Sequence, residues 1–276
     1  MPLSDGERNA RSNRAQSHVI NGLHVEVVGD GATVVLVHAG IADSRMWEPQ
    51  WSTWPDDYEV IRLDLREFGR SAASVGAFCH AADVLAVLDA LEVDRTVVVG
   101  ASFGGLVSLD LAVSRPDRIA GLVLADIPLP GHPWSAEFEH FGEAENAAIE
   151  AGDLDLATEI NVDFWLGGAS ESIRSAIREQ QRRAFDLQVG ADADDSLLSE
   201  DLHGRLGTLD VPTLVIDGAD DVADFRLIAD QLGRTLPRSE RATIAGSGHL
   251  PSLEQPDAFD AVVRPFLARI ATGTKA

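Results

Sequence analysis

Apolar, β-branched runs and amphipathic helical stretches alternate along most of this chain. Residues 18–20 and 23–28 read as two strands joined at Asn21-Gly22, a dipeptide suited to the tight turn of a β-hairpin. Gly29-Asp30-Gly31 turns the chain into residues 33–38, a continuous apolar run of the kind buried on both faces of a sheet. Residues 58–63, 96–99, 119–125 and 212–216 repeat that character, and 241–244 is a shorter strand-like run. Helical patterns lie between them. Residues 79–91 place Val84, Leu85, Val87, Leu88 and Leu91 on one face. Residues 106–113 stop at Arg115-Pro116, and 225–236 and 256–270 close the chain, with Pro265 expected to bend the last helix. Strands alternating with helices predict an α/β fold, a doubly wound, mainly parallel sheet of eight strands.

One segment breaks the alternation. From Ile127 to about Asp210 no strand-like run occurs; helical stretches cover 136–151, 154–166 and 170–185, followed by an acidic loop at 192–195. So long an excursion is expected to form a helical subdomain, leaving the sheet where open α/β sheets bind ligands. The expected organisation is a disordered tail at 1–17, a core from 18–127 and 211–272, and a helical cap at 128–210.

Composition narrows the function. The chain has 276 residues, 45 acidic against 22 basic, for a net charge of -23. That excess argues against binding nucleic acid or an anionic membrane surface, and disfavours polyanionic substrates. A single cysteine, Cys79, leaves no internal disulfide and no cysteine-based metal site, and it is expected as a small core residue. Neither a secretory signal nor an apolar run of membrane-spanning length is legible. A cytoplasmic protein acting on a small molecule is the expectation, and the oligomeric state is not readable.

The chemistry centres on Ser102, in Gly100-Ala101-Ser102-Phe103-Gly104 directly after the run 96–99. Strand, Gly-x-Ser-x-Gly, then helix is the layout of a nucleophile elbow. The sharp turn lifts the hydroxyl out of the sheet, where a histidine can activate it. Alone, the pentapeptide would equally suit a glycine-rich turn whose serine caps a helix. The base expected is His249, in Gly246-Ser247-Gly248-His249-Leu250-Pro251 after the run 241–244. The acid expected is Asp221, after a strand and before a helix, with Asp220, Asp224 and Asp126 as rivals. The backbone N–H groups of Phe103 and Gly40, rather than Ile41, are expected to form an oxyanion hole, and His38 to brace the Gly40 turn. Trp134, Phe138, Phe141, Phe164 and Trp165 are candidates for an apolar pocket, with Ile41 and Leu250 beside them; the same aromatics would equally fasten helices to the core. Arg174, Arg178, Arg182 and Arg183 at helical spacing are expected as a solvated face balancing nearby acids. No phosphate loop, nucleotide fingerprint or metal cluster is legible, so no cofactor is implied.

Taken together the motifs resemble the α/β-hydrolase superfamily over roughly residues 18–270. Val37-His38-Ala39-Gly40 corresponds to its oxyanion turn, Asp64-Leu65-Arg66-Glu67-Phe68-Gly69-Arg70-Ser71 to its Asp-x-Arg-Gly-x-Gly-x-Ser loop, and Gly218 to Asp221 to its acid turn. The order Ser102, Asp221, His249 follows the superfamily's order. Ala39 and Glu67 each stand where that family has glycine. A serine at 102 argues against haloalkane and epoxide chemistry. The resemblance implies a small esterase or enol-lactonase-like hydrolase with one helical cap, cleaving an ester or lactone. It leaves two alternatives: carbon–carbon or thioester cleavage by the same three residues, and a slowly turning small-molecule receptor on the same scaffold.

Overall fold

The computed structural model describes residues 15–273 apart from Val75 and Asp192. The chain opens with the expected hairpin, β1 (Gln16–Ile20) and β2 (Leu23–Val28). Asn21 and Gly22 both take positive φ, 52° and 81°, the twist that lets a two-residue turn join paired strands. β1 begins at Gln16, inside the stretch expected as a tail; residues 1–14 of that stretch lie outside the described residues.

The elements that follow are β3 (Ala32–Val37), α1 (Glu48–Thr53), β4 (Tyr58–Leu63), β5 (Gly76–Phe78), α2 (His80–Ala90), β6 (Thr96–Ala101), α3 (Phe103–Ser114) and β7 (Ile119–Ala125). Three helices come next, α4 (Ala136–Glu150), α5 (Leu154–Trp165) and α6 (Glu171–Gln188), then β8 (Ala193–Asp195) and α7 (Leu202–Arg205). The chain closes with β9 (Thr213–Gly218), α8 (Ala223–Thr235), β10 (Ser239–Ile244), α9 (Pro251–Glu254) and α10 (Pro256–Gly273), which contains Pro265. Cys79 lies just before α2, half-buried, rather than within a helix.

Eight strands form one sheet in the order β1-β2-β4-β3-β6-β7-β9-β10. The β1–β2 and β2–β4 pairs are antiparallel; every pair from β4–β3 to β9–β10 is parallel. Alternation along the strands feeds two apolar layers. Leu122 and Leu124 of β7 pack with Leu109 of α3 and Ile228 of α8, whereas Val123 and Ala125 pack with Phe259 and Val263 of α10. Both faces of the central strands are therefore covered, which is why they read as unbroken apolar runs.

A second, two-stranded sheet pairs β5 with β8. It corrects the expectation of a loop at 192–195. Each strand is three residues long, too short to carry a hydrophobic period; the pairing depends on residues more than 110 positions apart, continued by the Ser196 N–H donating to the Phe78 carbonyl.

The three-helix excursion is tied to the core at its root. Asp224, in the first turn of α8, accepts from the Ser135 N–H at 2.9 Å and the Ser135 hydroxyl at 2.6 Å, and its Oδ1 lies 3.0 Å from His132 Nε2. Within the excursion, α6 arginines reach α5 acids: Arg174 bonds Asp163, Arg178 bonds Glu159 and Arg182 bonds Asp155. Arg183 departs from that pattern and donates to the Gly69 carbonyl at 3.3 Å.

Candidate active site

β6 ends in a turn that only small residues allow. A Cβ on Gly100 would come within 2.4 Å of Ser108 Oγ, and one on Gly104 within 2.3 Å of the His38 carbonyl. Between them Ser102 takes φ 49°, ψ -122°, a conformation costing an L-residue on the order of 1–3 kcal/mol. Its N–H donates to the Ala125 carbonyl at 2.8 Å, tying the strained residue to β7. The hydroxyl projects from the N-terminus of α3, where the helix dipole favours negative charge.

His249 reaches it from the loop that follows β10. His249 Nε2 lies 2.8 Å from Ser102 Oγ, and Nδ1 lies 2.8 Å from Asp221 Oδ2. A carboxylate accepts only, so Nδ1 carries the proton and Nε2 is free to accept from the serine hydroxyl. The imidazole is buried, between the Trp165 ring at 4.1 Å and the Phe225 ring at 4.5 Å. Its loop is clamped by Glu254, which accepts from the Gly248 N–H at 3.0 Å and the Leu250 N–H at 2.8 Å. Asp221 is fixed by the Val222 N–H, 2.8 Å from Oδ1.

The rivals for the acid position do other things. Asp224 anchors the helical excursion. Asp126 is buried, takes φ 46° and accepts from the Gly218 N–H at 3.0 Å. Burial, and next the charge of neighbouring Asp221, push its carboxyl well above the usual carboxylate range.

His38 braces its turn as expected. The Leu65 N–H donates to His38 Nε2 at 2.9 Å, so Nδ1 carries the proton and donates to the Ala39 carbonyl at 2.8 Å. Burial holds the ring below its ordinary pKa. Asp64 organises the neighbouring loop, accepting from the Ser44 N–H at 2.9 Å and the Arg70 N–H at 2.8 Å. Gly69, at φ 52°, lies so close to that carboxylate that a Cβ would sit 2.5 Å from it.

A cavity of about 460 Å³ opens beside Ser102. Ile41 and Trp165 line it, as the sequence suggested, and so do Gly40 and Phe103, the two residues expected to serve the oxyanion. Trp134, Phe138 and Leu250 do not, and this corrects the expected pocket. Trp134 stacks on Phe138 at 4.0 Å and both rings pack against Phe225, holding α4 to α8; Leu250 is wholly buried in the core. Phe141 lines the cavity, with Phe164 stacked on it at 4.1 Å. Sequence reasoning missed the polar part of the wall, notably Glu67, Glu145, Gln181 and Asp195. Only Glu67 carried a signal, as a carboxylate where the resembled loop has glycine.

Comparison with known proteins fits this geometry. Residues 34–262 match the model of the alpha/beta hydrolase family. RutD of Rhizobium rhizogenes, which carries the name of a carbamate hydrolase, is 26% identical over 89% of this chain and 97% of its own length. A strigolactone esterase of Arabidopsis thaliana is 25% identical over 92% of this chain and 100% of its own. A thermophilic esterase from Thermogutta terrifontis superposes with a TM-score of 0.76 at 26% identity, covering 94% of this chain and 99% of that one. A family match over residues 34–262, which takes in Ser102, Asp221 and His249, makes this chain a hydrolase belonging to the alpha/beta hydrolase family.

Proposed function

We propose that the protein cleaves a small carboxylic ester or lactone through an acyl-enzyme on Ser102. The observation that carries this reading is the unbroken hydrogen-bonded path from Ser102 Oγ through His249 to Asp221, with both links at 2.8 Å. Ser102 Oγ attacks the carbonyl carbon while His249 Nε2 takes its proton. Asp221 holds the imidazole in the required tautomer and stabilises the imidazolium. His249 then gives the proton to the leaving alcohol, and a water activated by the same nitrogen releases the acid. The N–H groups of Phe103 and Gly40 serve the oxyanion; Phe103 starts α3, so no carbonyl within the helix can accept from its N–H.

The excursion between β7 and β9 acts as the cap over this site. Trp165 of α5 stacks on His249 and Phe141 of α4 lines the cavity, so the helices shield the reacting groups from water. The similar esterases support an ester substrate, and the apolar rings of the wall support an uncharged acyl group. In this reading the substrate is a small molecule and the protein works without a cofactor, in the cytoplasm.

The test is p-nitrophenyl ester hydrolysis against acyl length, wild type beside Ser102→Ala. Turnover by the wild type, reduced on the order of 10⁴-fold in the variant, is the expected result. Wild-type-like hydrolysis by cleanly purified Ser102→Ala would overturn the assignment.

A further inference from the structure

Three carboxylates, Glu67, Glu145 and Asp195, line the cavity beside Ser102, and among the described residues no arginine or lysine lines it. Two of its acceptors have nothing to accept. Glu67 is 9% exposed and Gln181 4% exposed, and the Oε1 atom of each is buried without a hydrogen-bond partner. Buried acceptors are almost always satisfied, so a pair facing one cavity marks a place for a donor. Glu67 is also held in a left-handed backbone conformation, φ 69°, at a loop position that glycine would occupy without strain. Strain kept at a cavity wall is characteristic of ligand sites.

The ionic balance of the wall defines the donor. Burial, aided by the charges of Glu67 and Asp110, raises the Asp195 carboxyl to about 6, and burial raises Glu145 as well. The nearby guanidiniums are committed elsewhere. Arg66 is bonded through two nitrogens to Asp83, and Arg183 donates to the Gly69 carbonyl. Among the described residues no three His, Cys, Asp or Glu side chains converge as metal ligands, so the carboxylates are too dispersed for a metal ion. Phe68, Phe78 and Phe185 add aromatic faces to the wall. Carboxylates interleaved with aromatic faces make a site for an organic cation, which gains from both charge and ring quadrupoles.

We propose that this wall is a cation subsite and that the enzyme selects esters bearing an ammonium group, with Glu67 and Gln181 as the specificity-determining residues. The proposal rests on the ester-hydrolase reading for its catalytic consequence; the subsite itself can be tested without turnover.

The first measurement is calorimetric binding of 4-aminobutyl acetate, whose ammonium carries N–H donors, and of its uncharged isostere, pentyl acetate, to Ser102→Ala protein. The cation is expected to bind at least about tenfold more tightly. In the wild type, the ratio of kcat/KM for the two esters should show the same preference, carried mainly in KM. Glu67→Gln should reduce the ratio about fivefold or more. Glu67→Gly tests the same point in a variant relieved of the backbone strain, and so not at risk of misfolding. Equal binding of the two esters, or a ratio unchanged in both variants, would overturn the subsite. Equal hydrolysis of both esters would leave the hydrolase reading intact and remove the subsite. Preferential binding of the ammonium ester without hydrolysis of either ester would uphold the subsite and remove the ester reading.

Discussion

Asp126 and Asp221 stand at the carboxyl ends of the adjacent strands β7 and β9, near enough that the charge of Asp221 adds to burial in raising the Asp126 carboxyl. Burial is the larger cause and the charge of Asp221 the next, so Asp126 holds its proton to higher pH than a solvated carboxyl does.

A carboxyl that stays protonated when folded costs stability at neutral pH. The folded pKa of Asp126 lies above its unfolded value of 3.8. Its contribution is fully present below that value and is lost as pH rises through the folded pKa. Asparagine mimics the neutral acid: its oxygen can accept from the Gly218 N–H. Asp126→Asn is therefore expected to raise Tm at pH 7 and to change it little at pH 4. Thermal unfolding at both pH values checks this, and a lowered Tm at pH 7 would contradict it. Asp126→Ala leaves the buried Gly218 N–H unpartnered and should lower Tm at both.

Ser102 carries strain that its hydroxyl requires and stability does not. Replacing it with glycine removes the Cβ that makes φ 49°, ψ -122° unfavourable. Ser102→Gly is expected to be inactive yet more stable than Ser102→Ala by about 1 kcal/mol, since alanine keeps the strain. Denaturant unfolding of the two variants side by side measures the difference. Equal stability would mean the elbow is relaxed by its surroundings.

Glu254 acts on the chemistry through the histidine loop. Glu254→Ala leaves the Gly248 and Leu250 N–H groups without their acceptors, at a cost of about 1–3 kcal/mol. Because His249 lies between those two residues, its ring should lose alignment with Ser102. A fall in kcat of about 100-fold with little change in KM is expected. Glu254→Gln retains one acceptor oxygen and should fall between the variant and the wild type. A change confined to KM would show that Glu254 acts on substrate rather than on His249.

These relationships were unequally legible in the sequence. Ser102, Asp221 and His249 announce themselves because each sits in a short local pattern: an apolar strand, then a turn rich in glycine or aspartate. The Asn21-Gly22 hairpin and the eight strands are local in the same sense. The β5–β8 pair is not, because three-residue strands show no period and owe their existence to their partner. Nor is the polar cavity wall. Gln181 and Asp195 come from a helix and a strand that sequence distance separates from Ser102 by some 80–90 positions, and only the packing of α6 and the β5–β8 pairing bring them to the cavity. Trp134 and Phe138 misled because an aromatic cluster reads the same whether it lines a pocket or fastens helices.

His80 makes the acid limb of the stability profile testable. Its ring packs edge-on to Phe78 at 4.8 Å and Phe103 at 5.1 Å, and burial, the largest cause, lowers its pKa from 6.5 to about 4. His38 and Arg66 push the same way, against the attraction of Asp83. Between those values the unfolded chain takes up a proton that the folded protein refuses. Stability therefore falls as pH falls through 6.5 toward 4, by up to about 3 kcal/mol. Asp195, whose Oδ2 lies 3.9 Å from His80 Nε2, is raised to about 6 and works in the opposite sense, gaining stability over part of the same window. The wild-type profile alone thus blends the two, and a variant separates them. His80→Phe fills the aromatic site without a titrating group and abandons no hydrogen bond at Nδ1, which has no partner. Its stability advantage over the wild type is expected to grow as pH falls from 7 to 4.5, measured by denaturant unfolding at each pH. A constant difference across that range would show that the buried imidazole is not the group that resists protonation.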